Sequence, residues 1–561
     1  MMKTKKAPSV NNEVVPQAPP DNSANTKKSG ISPLLFALLV TGTFAIVLLF
    51  GMAHHEMWRD ELQAWMVARE AHSLGGLLDN MKYEGNPVLW HFFLYILTRF
   101  THDPVYMQGI HFIFACSFVY MFNRYATIDR VYKILFSFGY FTLYEYSVIS
   151  RCYALALLLI FIVCALYQNR RSHYLLLGIV LAMLANVTTY GIIISTCFAG
   201  ILAVDYRYFP AGDKKDGKGF IAGMAIAAIG ILLSVYQVLP QQDNTFPMLY
   251  PDSIADGYRW GTVLSKIFST WFYVPRLEGI NFWNTNLYTQ NIPGVEYPLL
   301  PWLFAHPQYL MFWYVLPAAA FVLSLFIFMR KPVVLLLYAA LAVGLLCFFY
   351  YTTLLFSRYC GFLLVTLVVC YWLELYYPEK KFSSPLREKL SALGKRIQMP
   401  FLVMVLAVNI IGAAVAYSKD YAYEFSASKA TATYIHEQKL DKLTIAGVPF
   451  YVASPLAGWL DTRLFYFQTN SFGTYCLYKG AINWYMTVPD ILNSVVAIMR
   501  DGRKELLVVS GTPWTMTRDG GAHYEPVESG ALPEGLKFNQ IRFFEAGIVP
   551  DEQYYLYLIH R

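Results

Sequence analysis

Charge is scarce in this chain. Asp, Glu, Lys and Arg together make up 14% of its 561 residues, against 56% hydrophobic and 17% aromatic ones. So little charge argues against an ordinary soluble enzyme and for a lipid-embedded chain. Cysteine is almost missing from the polar regions. Of eight, Cys116, Cys152, Cys164, Cys197, Cys347, Cys360 and Cys370 lie in or beside apolar segments, and only Cys476 sits in the polar C-terminal third. Neither a disulfide framework nor a CxxC metal site is implied. Few charges interrupt the apolar runs. This counts against a transporter, which would be expected to carry charged or broken helices near the bilayer midplane and internal repeats. The net charge of +7 needs no nucleic-acid partner, because the basic residues gather in short loops between apolar runs.

What the chain does have is a succession of apolar segments. They cover 31–53, 105–122, 131–144, 153–167, 174–186, 191–204, 220–239, 309–329, 332–350, 360–377 and 400–417. Each approaches or reaches the ~20 residues that cross a bilayer, which predicts about eleven transmembrane helices. Residues 1–30 are rich in Lys, Asn, Pro and Ser without apolar periodicity and read as a disordered cytoplasmic tail. The first apolar run is too long for a secretory signal and is expected to be a retained anchor.

Basic loops orient the spans. Lys and Arg cluster in the tail, around Arg124 and Arg130, at Arg170 and Arg171, from Arg207 to Lys218, at Arg330 and Lys331, and from Lys380 to Arg396. All are cytoplasmic together if 87–100, only about 14 residues long, lies at the interface instead of crossing. The first external loop, 54–103, the turn 145–151, the loop 240–307, the turn 352–359 and everything after Ser418 then share the extracytoplasmic side. Within the first loop, 61–71 has the amphipathic period of a helix lying along the lipid surface, with Trp58 and Trp65 as an aromatic belt or, less simply, a sugar-stacking pair. The long loop holds Trp260, Trp271, Tyr273, Trp283 and Trp302, which suit either a sugar platform and lid or interfacial anchoring. Residues 419–561 read as a small α/β domain: helices at 424–438 and 491–500, strands at 443–446, 463–467 and 505–510, and a closing pair at 539–546 and 553–560. It carries no Gly-rich phosphate loop and no recognisable nucleophile motif, which suggests a structural or acceptor-binding role.

The external face gathers short motifs in a fixed order. After the first span comes His54-His55-Glu56-Met57-Trp58-Arg59-Asp60-Glu61, then Tyr83-Glu84-Gly85-Asn86-Pro87-Val88-Leu89-Trp90, then Glu145-Tyr146-Ser147-Val148-Ile149-Ser150-Arg151-Cys152-Tyr153, and finally Ser357-Arg358-Tyr359. This order resembles the GT-C superfamily of lipid-phosphate-dependent glycosyltransferases, and most of all the family 39 type, which includes protein O-mannosyltransferases and the aminoarabinose transferases of lipid A. Those proteins have an acidic pair in the first external loop, a D/E-x-H-P-P-L segment, an S-R-x-Y turn and an R-Y opening a late span. The chain departs from them at Asn86, where His is common, and at Val88, where a second Pro is common.

The resemblance implies a polytopic α-helical GT-C membrane domain over 31–418 and an inverting transfer of a monosaccharide from a polyprenyl-phosphate donor to a cell-envelope glycan, lipid or protein. It implies Asp60 as the base and Glu61 as its positioning partner, Arg151, Arg358 and Tyr359 on the donor phosphate, and Glu84, Asn86, Glu145 and Tyr153 around the substrates. The chemistry suits those residue types. A carboxylate within hydrogen-bond reach deprotonates an acceptor hydroxyl, burial and a neighbouring charge raise its pKa, and the planar fork of arginine fits phosphate oxygens. Taken singly, Arg151 and Arg358 also suit snorkelling or a pair with Glu145. No cofactor is required. A divalent cation on His54, His55, Glu56, Asp60 and Glu61 is the alternative, although their spacing fits no H-E-x-x-H pattern. A polytopic transporter of lipid-linked or small polar substrates and a non-catalytic envelope scaffold are the rival functions. A bacterial inner membrane is the expected location, with the site facing the periplasm or exterior.

Overall fold

The computed structural model describes residues 30–208, 216–245, 256–287, 315–352, 356–500, 502–518 and 523–561. Residues 1–29 of the expected tail, Trp302 and residues 309–314 of one expected span lie outside the described residues.

Among the described residues seven helices are long and apolar enough to cross a membrane: Pro33–His54, Val105–Tyr125, Thr189–Tyr208, Gly217–Val238, Pro332–Tyr351, Ser357–Tyr376 and Pro385–Ala422. The protein is membrane-embedded, and its outer helices expose apolar side chains in a way that only lipid accommodates. On the first helix Phe44 and Leu48 are fully buried while Ile46 is 74% exposed. Tyr153–Tyr167, Tyr174–Ala185 and Leu316–Ile327 are apolar but shorter. At ~1.5 Å per residue a 12-residue helix covers about 18 Å, less than the hydrocarbon core. The expected span at 131–144 is not one helix. A helix over Arg130–Ser137 stops, and a π-helical segment, Tyr140–Val148, follows after Gly139. The nine-residue helix Leu89–Leu97 is far too short to span, as its sequence predicts.

The C-terminal domain carries a seven-stranded mixed sheet in the order β3-β2-β1-β4-β9-β8-β7 and a separate β5-β6 ribbon. The strands are β1 (Thr444–Val448), β2 (Leu464–Tyr466), β3 (Ser471–Gly473), β4 (Glu505–Ser510), β5 (Thr515–Arg518), β6 (His523–Pro526), β7 (Ser529–Ala531), β8 (Lys537–Phe544) and β9 (Tyr554–His560). Parallel β2, β1 and β4 need crossovers, and the helices Phe450–Trp459 and Val488–Met499 lie in those connections. Alternation along β4 ties the sheet to the rest of the protein. Leu506 and Val508 pack with Val495 and Met499 in a core of the domain's own. Leu507 and Val509 face the other way, into the core that runs on through the membrane helices.

That docking corrects the sequence reading of the first external loop. The helix Arg59–Arg69 does not lie on lipid. Leu62, Trp65 and Met66 are buried, as is Trp58 before it, because the helix is covered by Phe450–Trp459. A Cβ at Gly458 would stand 3.2 Å from Leu62 Cδ2, so the missing side chain lets the two helices close up. The amphipathic period was read correctly; its apolar face meets protein. The expected loop 240–307 also contains a helix, Asp256–Trp271, and Trp271, Tyr273 and Trp283 are buried. Only Trp260 among the described aromatics named there is exposed.

Candidate active site

The first turn of Arg59–Arg69 presents Asp60 toward two arginines that are remote in sequence. Arg151 Nη1 lies 2.6 Å and Arg358 Nη2 3.0 Å from the same oxygen, Asp60 Oδ2. Asp60 is 31% exposed, whereas Arg358 is 3% exposed. Burial pushes the Asp60 carboxyl up, but Arg151, Arg358 and Arg59 more than reverse this, and its pKa lies below the ordinary carboxylate value. The sequence reading expected burial and a neighbouring acid to raise it. The sign is opposite because the closest charges are cations.

Each arginine is held by its surroundings. Four rings pack around the Arg358 guanidinium: Phe356 with its centroid at 4.4 Å, Tyr359 at 5.2 Å, Trp58 at 5.5 Å and Trp283 at 5.6 Å, a cation–π cage that fixes a buried charge. Tyr359 also lies within reach of Arg358 Nη2 through its hydroxyl, at 3.3 Å. The Arg358 carbonyl accepts a 2.5 Å bond from Tyr146 Oη. That approach needs Gly361, where a Cβ would meet Tyr146 Oη at 2.4 Å and Phe141 Cδ1 at 2.5 Å. The Ser-Arg-Tyr segment and the Glu145–Tyr153 motif are thereby knitted together. Arg151 stands over the Tyr153 ring at 6.0 Å.

Glu61 does not join Asp60. Its Oε2 accepts from the Trp58 amide at 3.2 Å, the reciprocal half of a helix cap, and lies 3.0 Å from His55 Nε2. Its Oε1 accepts from the Ser150 amide at 2.6 Å, which fixes the turn that delivers Arg151. His55 Nδ1 in turn meets Asp420 Oδ2 at 2.9 Å, so a buried chain of contacts runs from the C-terminal end of Pro385–Ala422 to the Arg151 turn. Burial lowers the His55 pKa, yet Asp420 and Glu61 raise it well above the usual value. Both ring nitrogens are thus engaged by carboxylates. His54 bonds the Phe50 carbonyl and Glu56 the Phe425 amide. Of the five residues weighed as metal ligands, His55 and Glu61 face each other while His54, Glu56 and Asp60 take other partners, and among the described residues no cluster of three or more His, Cys, Asp or Glu is arranged to hold a metal ion.

Glu84 is the other acid within electrostatic reach of Asp60 and Arg151, and burial holds its carboxyl above the ordinary range. Gln63 Nε2 donates to Glu84 Oε1 at 2.8 Å, and the same Gln63 side chain bonds both the amide and the carbonyl of Cys476 in the sheet domain. Glu145 is buried in the π-helical segment, where its Oε2 accepts from Tyr140 Oη at 2.7 Å and Trp283 Nε1 at 3.1 Å. It is not in an open turn and forms no ion pair with either arginine among the described residues. Asn86 accepts from Thr188 Oγ1 at 3.0 Å, a bond that ties its loop to the start of a membrane helix.

The sheet domain reaches the site by a contact the sequence did not signal. Arg59, next to Asp60, pairs with Asp551 at 2.5 Å and gives its amide to Glu552 Oε1 at 3.0 Å, while Glu552 Oε2 accepts from Ser426 Oγ. Glu552 lies two residues before β9 and is buried; an acidic residue before a strand looks like an ordinary solvated turn. Burial pushes its pKa up to about 7, against the pull of Arg59. A carboxyl with a raised folded-state pKa contributes stability that is complete below its unfolded value near 4.3 and is lost as pH rises through 7. Glu552→Gln removes this titration. From pH 4.5 to 8 the stability difference is expected to move in the variant's favour by about 3 kcal/mol, measured as melting temperature in detergent.

Comparison of the chain with protein-family models, with curated proteins and with solved structures finds no match to any of them. The site offers one partly exposed, ionised carboxylate, two guanidiniums converging on it, a second, buried acid and aromatic walls.

Proposed function

We propose that the protein is a membrane-embedded inverting glycosyltransferase. It moves a monosaccharide from a polyprenyl-phosphate donor to a cell-envelope glycan, lipid or protein on the extracytoplasmic face. The observation that supports this best is the convergence of Asp60, Arg151 and Arg358, which stand 91 and 207 residues apart in sequence order, on one point beside the outer ends of the membrane helices. Such a point is where a lipid phosphate at headgroup depth is reached. In this reading Arg151 and Arg358 take the phosphate oxygens and stabilise the charge that grows as the sugar leaves. Asp60 accepts the proton of the attacking hydroxyl. Tyr153 and Tyr359 wall the phosphate end, and Glu84 and Asn86 border the sugar or acceptor.

The same reading takes the three shorter apolar helices and the broken segment around Gly139 together with the seven long ones as an eleven-helix GT-C arrangement, with the sheet domain outside and a bacterial inner membrane as its setting. A transporter reading is weaker because the charged cluster lies at the outer boundary. The test is the lipid that the protein retains. Native mass spectrometry of protein released from mild detergent is expected to show a bound polyprenyl phosphate or its glycosylated form, lost in Arg358→Ala. A protein that carries only bulk phospholipid in both forms contradicts the proposal.

A further inference from the structure

Asp60 and a donor phosphate need the same two guanidiniums. Asp60 Oδ2 contacts Arg151 Nη1 and Arg358 Nη2 together, so one carboxylate oxygen is shared by two guanidiniums. Arg358 is almost fully buried, and among the described residues its Nε and Nη1 have no hydrogen-bond partner. Idle donors on a buried cation are costly and call for an acceptor that brings two oxygens to the pair, where Asp60 brings only Oδ2. Glu145 acts on Arg358 through space but makes no hydrogen bond or ion pair with it among the described residues, and its Oε2 is taken by Tyr140 and Trp283. The two sides of the pair also differ in freedom. Arg358 is caged by four rings, and the Arg151 turn is pinned by Glu61 at the Ser150 amide. Asp60 is 31% exposed in the first turn of its helix.

We infer that Asp60 is a stand-in anion: its carboxylate occupies the arginine pair while the donor is absent, and the phosphodiester of a polyprenyl-phosphate sugar displaces it, releasing Asp60 as the base. The inference rests on the glycosyl transfer proposed above and adds an order of events to it. The exchange conserves charge, since a phosphodiester is a monoanion like the carboxylate it replaces. Two unesterified phosphate oxygens then take the donors that Asp60 leaves idle. Removed from two cations, the carboxylate becomes more basic than in the donor-free protein. Asp60 then takes the proton of the acceptor hydroxyl as its oxygen bonds the anomeric carbon. The bond from that carbon to the phosphate oxygen breaks, and its electron pair stays on a polyprenyl phosphate monoester. The protonated Asp60 does not compete with this more highly charged product. Loss of its proton to water restores a carboxylate that competes for the arginines and promotes release.

The test is binding of a polyprenyl phosphate to the full-length protein in lipid nanodiscs at pH 7, with the matching polyprenol as the phosphate-free control. If Asp60 competes with phosphate, Asp60→Asn and Asp60→Ala both bind the lipid phosphate about tenfold more tightly than the wild type. Arg358→Lys and Arg151→Gln bind it about tenfold more weakly. A residue that served only as a base would leave affinity unchanged, so equal or weaker binding by both Asp60 variants overturns the exchange while the arginine effects uphold the phosphate site. Equal binding of phosphate and polyprenol, insensitive to either arginine, overturns both.

Discussion

Replacing Arg358 with lysine is expected to lower sugar transfer about 10²–10³-fold while leaving the protein folded. Lysine keeps the charge and loses the fork. The guanidinium reaches Asp60 from inside a cage of Phe356, Tyr359, Trp58 and Trp283, and a compact ammonium on a flexible stem has no planar face for those rings and presents its donors in a different direction. In the proposed reaction the loss falls mainly on turnover, because the phosphate gains charge as the sugar leaves and the missing donors matter most at that moment. The check is a steady-state comparison of kcat and KM for the donor, with melting temperature as a control. An Arg358→Lys enzyme with wild-type kcat would place the phosphate elsewhere.

Asp60→Asn is expected to reduce kcat by about 10²–10⁴-fold, the range of a lost general base, without weakening the donor. The wild-type pH profiles carry the same information. The pKa of Asp60 in the free protein lies below the ordinary carboxylate value, so the acidic limb of kcat/KM, which reports the free enzyme, is expected below the ordinary carboxylate range. The limb of kcat reports the donor-bound state. It is expected at higher pH, because the phosphate has taken the two guanidiniums that held the carboxyl down. Coincident limbs, or an Asp60→Asn variant of unchanged kcat, contradict the role given to Asp60. Glu84, whose burial raises its pKa within reach of the same arginine, would then be the acid to replace.

How much of this was legible in the sequence varies by element. The strand at 505–510 is β4 to the residue, and the closing pair at 539–546 and 553–560 falls on antiparallel β8 and β9, because β-branched and aromatic runs between turn residues leave few alternatives. The apolar helices were equally plain, but their number was not. Apolar composition does not separate a 12-residue buried helix from a full span, and the helix break at Phe138–Gly139 falls where a Cβ on Gly139 would stand 3.3 Å from Asn409, a proximity set by tertiary packing. Asp60, Arg151 and Arg358 were chosen from three separate motifs, and they do converge. Glu61 was paired with Asp60 by adjacency, yet neighbouring residues on a helix point about 100° apart, and Glu61 turns inward to His55 and Ser150. The Asp420–His55–Glu61 chain and the Arg59–Glu552 clamp join residues 365 and 493 positions apart. No periodicity or short motif encodes contacts at such separations. Trp58 and Trp65 look like an interfacial belt until the sheet domain that covers them is in place.

The central claim is that Asp60, with Arg151 and Arg358, moves a sugar from a lipid phosphate. Purified protein in nanodiscs, supplied with a radiolabelled polyprenyl-phosphate sugar and an envelope extract as acceptor, tests it most directly. The account predicts label transferred to an envelope component by the wild type and transfer reduced at least a hundredfold in Asp60→Asn. Undiminished transfer by a folded Asp60→Asn protein would contradict it.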